Sequence, residues 1–292
     1  MKKESTAKVM MTAAMIIFGT LAPFVRRIGV SSGELALCRS LMAAVTVGAF
    51  LLFTRQRVPL SNVKKELGLL ALSGAAMGFN WILLFTAYEY TTVSAATLSY
   101  YFAPVIVTAV SPLLFKERLT KGKIICFILS TLGLVMITGA TGSGEGDLKG
   151  IAFGLGAATL YATVMVLNKL IRSVSGIQRT LVQFISAAVV LAPYVMLTGG
   201  CTLSGLDCIG LGALLIVGLV HTGVTYCMYF SALKELPGQE AAMLSYVDPL
   251  VAVLVSVLWL GEVLTLPQAV GGVLILGSTL LCEIKFRKSN TR

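Results

Sequence analysis

Three ionisable side chains stand apart because they fall inside long apolar runs: Arg39, His221 and Asp248. A charge at bilayer depth costs roughly 2.5–3.5 kcal/mol on insertion scales unless it is paired or hydrated, so each needs a partner or a task. Asp248 precedes Pro249, which lacks a backbone N–H and frees a carbonyl one turn earlier. Its carboxylate suits three jobs: partner to a substrate ammonium, proton carrier, or hydrogen-bonded brace of the proline bend. His221 suits proton exchange with Asp248 near neutral pH, with neutral packing between helices as the alternative. Arg39 is read as a structural charge that bonds helix carbonyls, the alternative being a cavity-facing group that meets a carboxylate. Aromatic and amide groups accompany them at mid-span: Asn80 beside Trp81, then Tyr101, Tyr161 and Tyr246. With Asp248 they form the candidate substrate-binding set, since such rings give stacking surface and a polar tip. There is one histidine and no metal-ligand cluster, and no nucleophile pairs with a base. No enzyme chemistry, metal or cofactor is expected.

The elements that must position these groups follow from composition. The 292 residues are 57% hydrophobic and 12% charged, and mean hydropathy is +0.89. A soluble domain carries about 25% charged residues, so this chain lacks the means to cover a water-facing surface. A helix crosses a bilayer with about 20 apolar residues, and ten such segments are present. They run Lys8 to Val25, Gly33 to Phe53, Leu67 to Tyr88, Thr92 to Phe115, Gly122 to Ala140, Gly150 to Ile171, Ile177 to Leu197, Cys208 to Leu233, Gly238 to Leu260 and Leu266 to Cys282. The expected fold is an all-α polytopic membrane protein.

Ten spans put both termini on one side. Nineteen of the 23 Lys and Arg fall on that side, three (Arg26, Arg27, Lys149) fall opposite, and Arg39 lies within a span. Basic loops stay cytoplasmic, so both termini are expected in the cytoplasm and the chain in the plasma (inner) membrane. The net charge of +10 therefore records orientation. Basic residues scattered over separate loops form no stripe, and no nucleic-acid partner is expected. Lys2 and Lys3 before an apolar run imitate a secretory leader, but that run has a counterpart later in the chain and reads as a span. Cys38, Cys126, Cys227 and Cys282 read as small packing residues. Whether Cys201 and Cys208 pair is left open by spacing.

The chain repeats itself. At an offset of 145, Pro104 meets Pro249, Tyr101 meets Tyr246, and Glu117-Arg118-Leu119-Thr120 meets Glu262-Val263-Leu264-Thr265. At an offset near 143, Ala14 meets Ala157, Phe18 meets Tyr161 and Ile28 meets Ile171. Residues 1–145 and 146–292 are thus two five-span halves that together make one transport unit. An odd number of spans per half forces opposite orientations, the inverted-repeat plan of secondary transporters with a midplane site between the halves. Pro104 and Pro249 mark bends or gates in spans four and nine. Glu117 and Glu262, at loop ends, are expected to tie helix termini. Ser94, Thr97, Tyr101, Pro104, Thr108 and Ser111 step by three or four along one face of span four, as a cavity wall or a close-packing face would.

These motifs resemble the ten-helix drug/metabolite transporter superfamily, and within it the EamA type. The likeness rests on Arg39, Ala87-Tyr88-Glu89-Tyr90-Thr91-Thr92-Val93-Ser94-Ala95-Ala96, Pro104, Lys116 to Thr120 and Gly133. In the second half it rests on Ala232-Leu233-Lys234, Asp248-Pro249, Leu260 to Thr265 and Gly271-Gly272. The chain departs from the pattern at Phe18-Gly19, where Trp-Gly is frequent, and at Gln183, which stands where a second Arg39 would be. The resemblance implies a carrier of small organic metabolites working by alternating access. It points first to an exporter of an amino acid or similar metabolite, possible proton coupling included. Import or exchange of a sugar or nucleoside is the alternative, and a channel-like component is the alternative of another class. The expected partners are a small-molecule substrate and the lipid bilayer. Glycine-rich stretches would serve internal packing or a homodimer alike.

Overall fold

The computed structural model describes residues 2–58, 60–115, 121–140, 145–174, 176–199 and 202–289. Among these residues it is helical, without strands. Seven helices are long and apolar enough to cross a bilayer, and three shorter apolar ones complete ten. In chain order they are α1 (Lys3–Val25), α2 (Ser32–Phe53), α3 (Leu67–Tyr90), α4 (Val93–Leu114), α5 (Ile124–Thr138), α6 (Asp147–Leu170), α7 (Gly176–Thr198), α8 (Cys208–Glu235), α9 (Met243–Leu258) and α10 (Leu266–Leu281). Large apolar side chains such as Phe53, Leu113, Leu197 and Leu258 point outward, where lipid rather than water tolerates them.

Four helices depart from a plain rod. In α1 the hydrogen-bonded run pauses at Thr20. In α4 it stops at Tyr100 and resumes at Ala103, so Pro104 is the second residue of a new helical run. In α9 it stops at Ser245 and resumes at Val247, with Pro249 third. The first turn of a helix needs no N–H from these positions, so proline is tolerated there while it disfavours continuity with the preceding residues. Residues Ile216–Val224 of α8 are a π-helix. There Thr222 and Thr225 donate to the carbonyls of Val217 and Val220, five residues back, at 2.9 and 2.7 Å.

Packing obeys a two-fold pattern. Helix α1 packs on α8 and α9, and its counterpart α6 packs on α3 and α4. Helix α2 packs on α8, and α7 on α3. The pairs α2–α7, α4–α9 and α5–α10 cross the symmetry axis. Each half therefore interleaves with the other. Helix association in lipid depends on close contact rather than on expelling water. Small residues provide it: the Gly133 and Gly271 backbones meet between α5 and α10, and Ser130 bonds Ser278 beside them at 2.7 Å. At Gly74 of α3 an added Cβ would lie 2.5 Å from the Gln183 carbonyl of α7. The α5–α10 pair stands to one side, and the remaining helices enclose the interior.

Candidate functional site

That interior holds a cavity of about 360 Å³. Ligand sites for small organic compounds start near this size. Its lining runs from Arg39, Tyr88 and Thr97 to Asn168, Arg179 and Leu233 at the end of the bundle that carries the termini. The opposite end is tied shut. There Arg26, just beyond the end of α1, pairs with Glu262 at 2.9 Å, and its Nη2 donates to the carbonyls of Tyr88 and Thr91. Glu262 also accepts from the backbone N–H groups of Val93 and Ser94, the first turn of α4. Those N–H groups lack helical partners, and the helix dipole favours an anion beside them. Ser94 and Ser256 share a hydroxyl hydrogen bond just below, and Phe24 meets Trp259 edge-on at 5.9 Å.

Five of the six expected substrate contacts border the cavity: Asn80, Trp81, Tyr101, Tyr161 and Asp248. Tyr101 stands at the α4 break, where the released backbone turns its ring inward, and its hydroxyl donates to Asp248 Oδ2. Asp248 sits in the first turn after the α9 break. The two interruptions thus place the phenol of one half on the carboxylate of the other. Tyr161 stacks on Tyr100 with centroids 5.2 Å apart. Asn80 is partly committed, since its Nδ2 donates to the Ala157 carbonyl of α6 at 2.6 Å. Tyr246 is not in the wall, although the repeat pairs it with Tyr101; it closes the run before the α9 break. The cavity leans toward the termini end, so two repeat-related residues do not see it alike.

His221 does not border the cavity either. It is buried behind α1, with Nε2 3.1 Å from Thr20 Oγ1, Nδ1 3.3 Å from the Ile216 carbonyl, and Phe24 against its ring. Direct proton exchange with Asp248 thus has no contact to run through. Pro104 and Pro249 lie at the two helix breaks and outside the lining. Glu117 and Cys201 lie outside the described residues, and Cys208 carries an exposed free thiol.

Arg39 differs most from expectation. It bonds a side chain rather than helix carbonyls: Nε donates to Thr222 Oγ1 of the π-helical stretch at 2.6 Å. Its guanidinium lies over Trp81 at 4.4 Å, and the residue lines the cavity. Gln183 of α7, its counterpart at an offset of 144, makes the mirror connection. Its Nε2 donates to Ser73 of α3 at 2.6 Å and to Asn168 of α6 at 2.8 Å. Both residues tie the second helix of one half to the third helix of the other. Sequence reasoning also missed Tyr88, Tyr100 and Tyr226, which wall the same space. Their signal was the density of tyrosine in α3, α4 and α8.

Comparison with known proteins bears on the family and the fold. The family model described as the EamA-like transporter family matches twice, over residues 6–139 and 148–283. An uncharacterized transporter of Bacillus subtilis, YxxF, is 28% identical over 287 residues, covering 97% of this chain and 91% of that one. An uncharacterized transporter of Archaeoglobus fulgidus is 30% identical over 271 residues, covering 91% and 92%. A solved structure at 18% identity superposes with a TM-score of 0.66 over 97% of this chain and 99% of its own, a likeness of fold. By the match over both halves, the chain belongs to the EamA-like transporter family and is a membrane transporter rather than an enzyme.

Proposed function

We propose that the chain is a secondary transporter that exports a small organic metabolite, an amino acid or a compound of similar size, by alternating access through the central cavity. The observation that carries this reading is the cavity itself: it is walled by both halves, reaches the termini end, and is shut at the other end by Arg26 and Glu262. With the termini cytoplasmic, as the distribution of basic residues favours, this is the state that loads substrate from inside. Halves 1–145 and 146–292 serve as one transport unit, and the breaks beside Pro104 and Pro249 are its hinges. Asp248, held by Tyr101 at the junction of the halves, is the group best placed to carry a proton. His221 then acts on the α1–α8 contact and not on the substrate.

Purified protein in proteoliposomes tests this directly. A panel of amino acids and other small metabolites is offered in both directions, with and without a pH gradient. Gradient-dependent efflux of at least one compound is expected, and exchange of Asp248 for Asn is expected to remove the gradient dependence while leaving exchange at equal pH. No movement of any compound in either direction counts against transport; unchanged pH dependence in Asp248→Asn removes it as the proton carrier.

A further inference from the structure

Arg39 has donors to spare. The residue is 4% exposed, its guanidinium reaches the cavity, and Nε–H to Thr222 is the hydrogen bond it makes among the described residues. Trp81 and Phe85 present their rings to it at 4.4 and 5.6 Å. No carboxylate among the described residues lies within 4.0 Å of it. The carboxylate in the lining, Asp248, is engaged by Tyr101. A second arginine, Arg179, lines the termini end; Nη1 donates to the Asn168 carbonyl at 3.0 Å, while its buried Nε–H has no partner among the described residues. The charged lining is therefore two arginines against one aspartate.

An arginine fork matches the two oxygens of a carboxylate or phosphate, and a dry wall strengthens that attraction over its value in water. Asp248 acts on Arg39 through space without bonding it, and a buried guanidinium with no hydrogen-bonded anion is costly, a cost that a ligand anion relieves. We propose that Arg39 binds an oxyanion of the transported compound, a carboxylate or a phosphate, with the compound's planar or apolar body against Trp81 and the stacked Tyr100–Tyr161 pair. Arg179 draws the anion in from the termini end. This rests on the transport reading above and names its substrate class: organic anions or zwitterions, not amines or neutral compounds.

The test uses the full-length protein in detergent and four probes that share one body: 3-phenylpropanoate, 2-phenylethyl phosphate, 2-phenylethylamine and 3-phenylpropan-1-ol. Binding is read by tryptophan fluorescence and by thermal shift. The carboxylate, the phosphate or both are expected to bind at least about tenfold more tightly than the amine and the alcohol, and the ratio of the two tells which oxyanion the fork prefers. Arg39→Gln should erase that preference while weak binding of the alcohol stays, and Arg39→Lys should keep part of it. Amine or alcohol binding as tight as the acid, or absence of oxyanion binding, overturns the proposal. So does an Arg39→Gln protein that melts lower yet keeps the preference. Should Arg39→Gln fail to fold, the wild-type series decides alone. The same probes in proteoliposomes separate the two claims. Flux without oxyanion preference sinks the substrate class and leaves transport; oxyanion binding without flux does the reverse.

Discussion

At Asp248 and Tyr101 the two halves meet through a single hydrogen bond, and its loss has a defined cost. Tyr101→Phe leaves the half-buried, cavity-lining carboxylate of Asp248 without its donor, which costs about 1–3 kcal/mol. The protein should melt several degrees lower, and Asp248→Asn in the same background should restore part of the loss, because a neutral amide is cheaper to bury. Thr222→Val removes the acceptor of Arg39 Nε–H and should destabilise by a similar amount, whereas Thr222→Ser keeps the hydroxyl and should be nearly neutral. The chemistry of these residues was legible in the sequence, since a charge in an apolar run demands a partner. Their direction was not. Arg39 looked like a brace to backbone because nothing in one strand of text shows that α8 adopts π geometry and presents Thr222. The repeat relates Tyr246 to Tyr101, but only Tyr101 borders the cavity, which leans toward the termini end.

Helices four and nine show how far local pattern reaches. Pro104 and Pro249 marked both interruptions, and the structure places each proline in the first turn of the resumed helix. The π-helix left no such mark, because it is a change of register satisfied by Thr222 and Thr225 rather than by any breaker residue. Close contact between helices is likewise a property of pairs. Gly74→Ala drives a methyl into the Gln183 backbone and the Ser186 side chain, and overpacking of this kind costs about 1–3 kcal/mol. Gly68, on the same helix, has nothing within 4 Å of an added Cβ. Gly68→Ala should be neutral or stabilising by up to about 1 kcal/mol through helix propensity. Thermal melts of the two variants side by side check the contact, and equal effects would contradict it.

For the whole molecule, the all-α membrane architecture, with seven helices long enough to cross a bilayer and three shorter apolar ones, followed from hydropathy, and the two family matches fall on the halves that the offset of about 145 residues marks. The interleaving of the halves did not follow. That α1 belongs with α8 and α9 is a matter of three-dimensional packing, which a repeat does not encode. On the proposed alternating-access reading, the ion pair of Arg26 and Glu262 holds one end of the cavity closed. Arg26→Gln releases Glu262 from its cation and should shift the protein toward opening at that end. A cysteine placed at Thr97, in a background free of other cysteines, should then react several-fold faster with a membrane-impermeant thiol reagent added from the side opposite the termini. An unchanged rate would mean that the ion pair does not hold the closed end.

Counterflow in proteoliposomes examines the central claim most directly. Vesicles are preloaded with an unlabelled panel compound that the protein moves, and uptake of the labelled compound is followed. A carrier that exposes its cavity to one side at a time returns faster with cargo than empty. The account therefore predicts labelled uptake that is accelerated by internal substrate, overshoots, and is free of electrical conductance. Uptake that ignores internal substrate and rises linearly with the gradient, accompanied by ionic current, would contradict it.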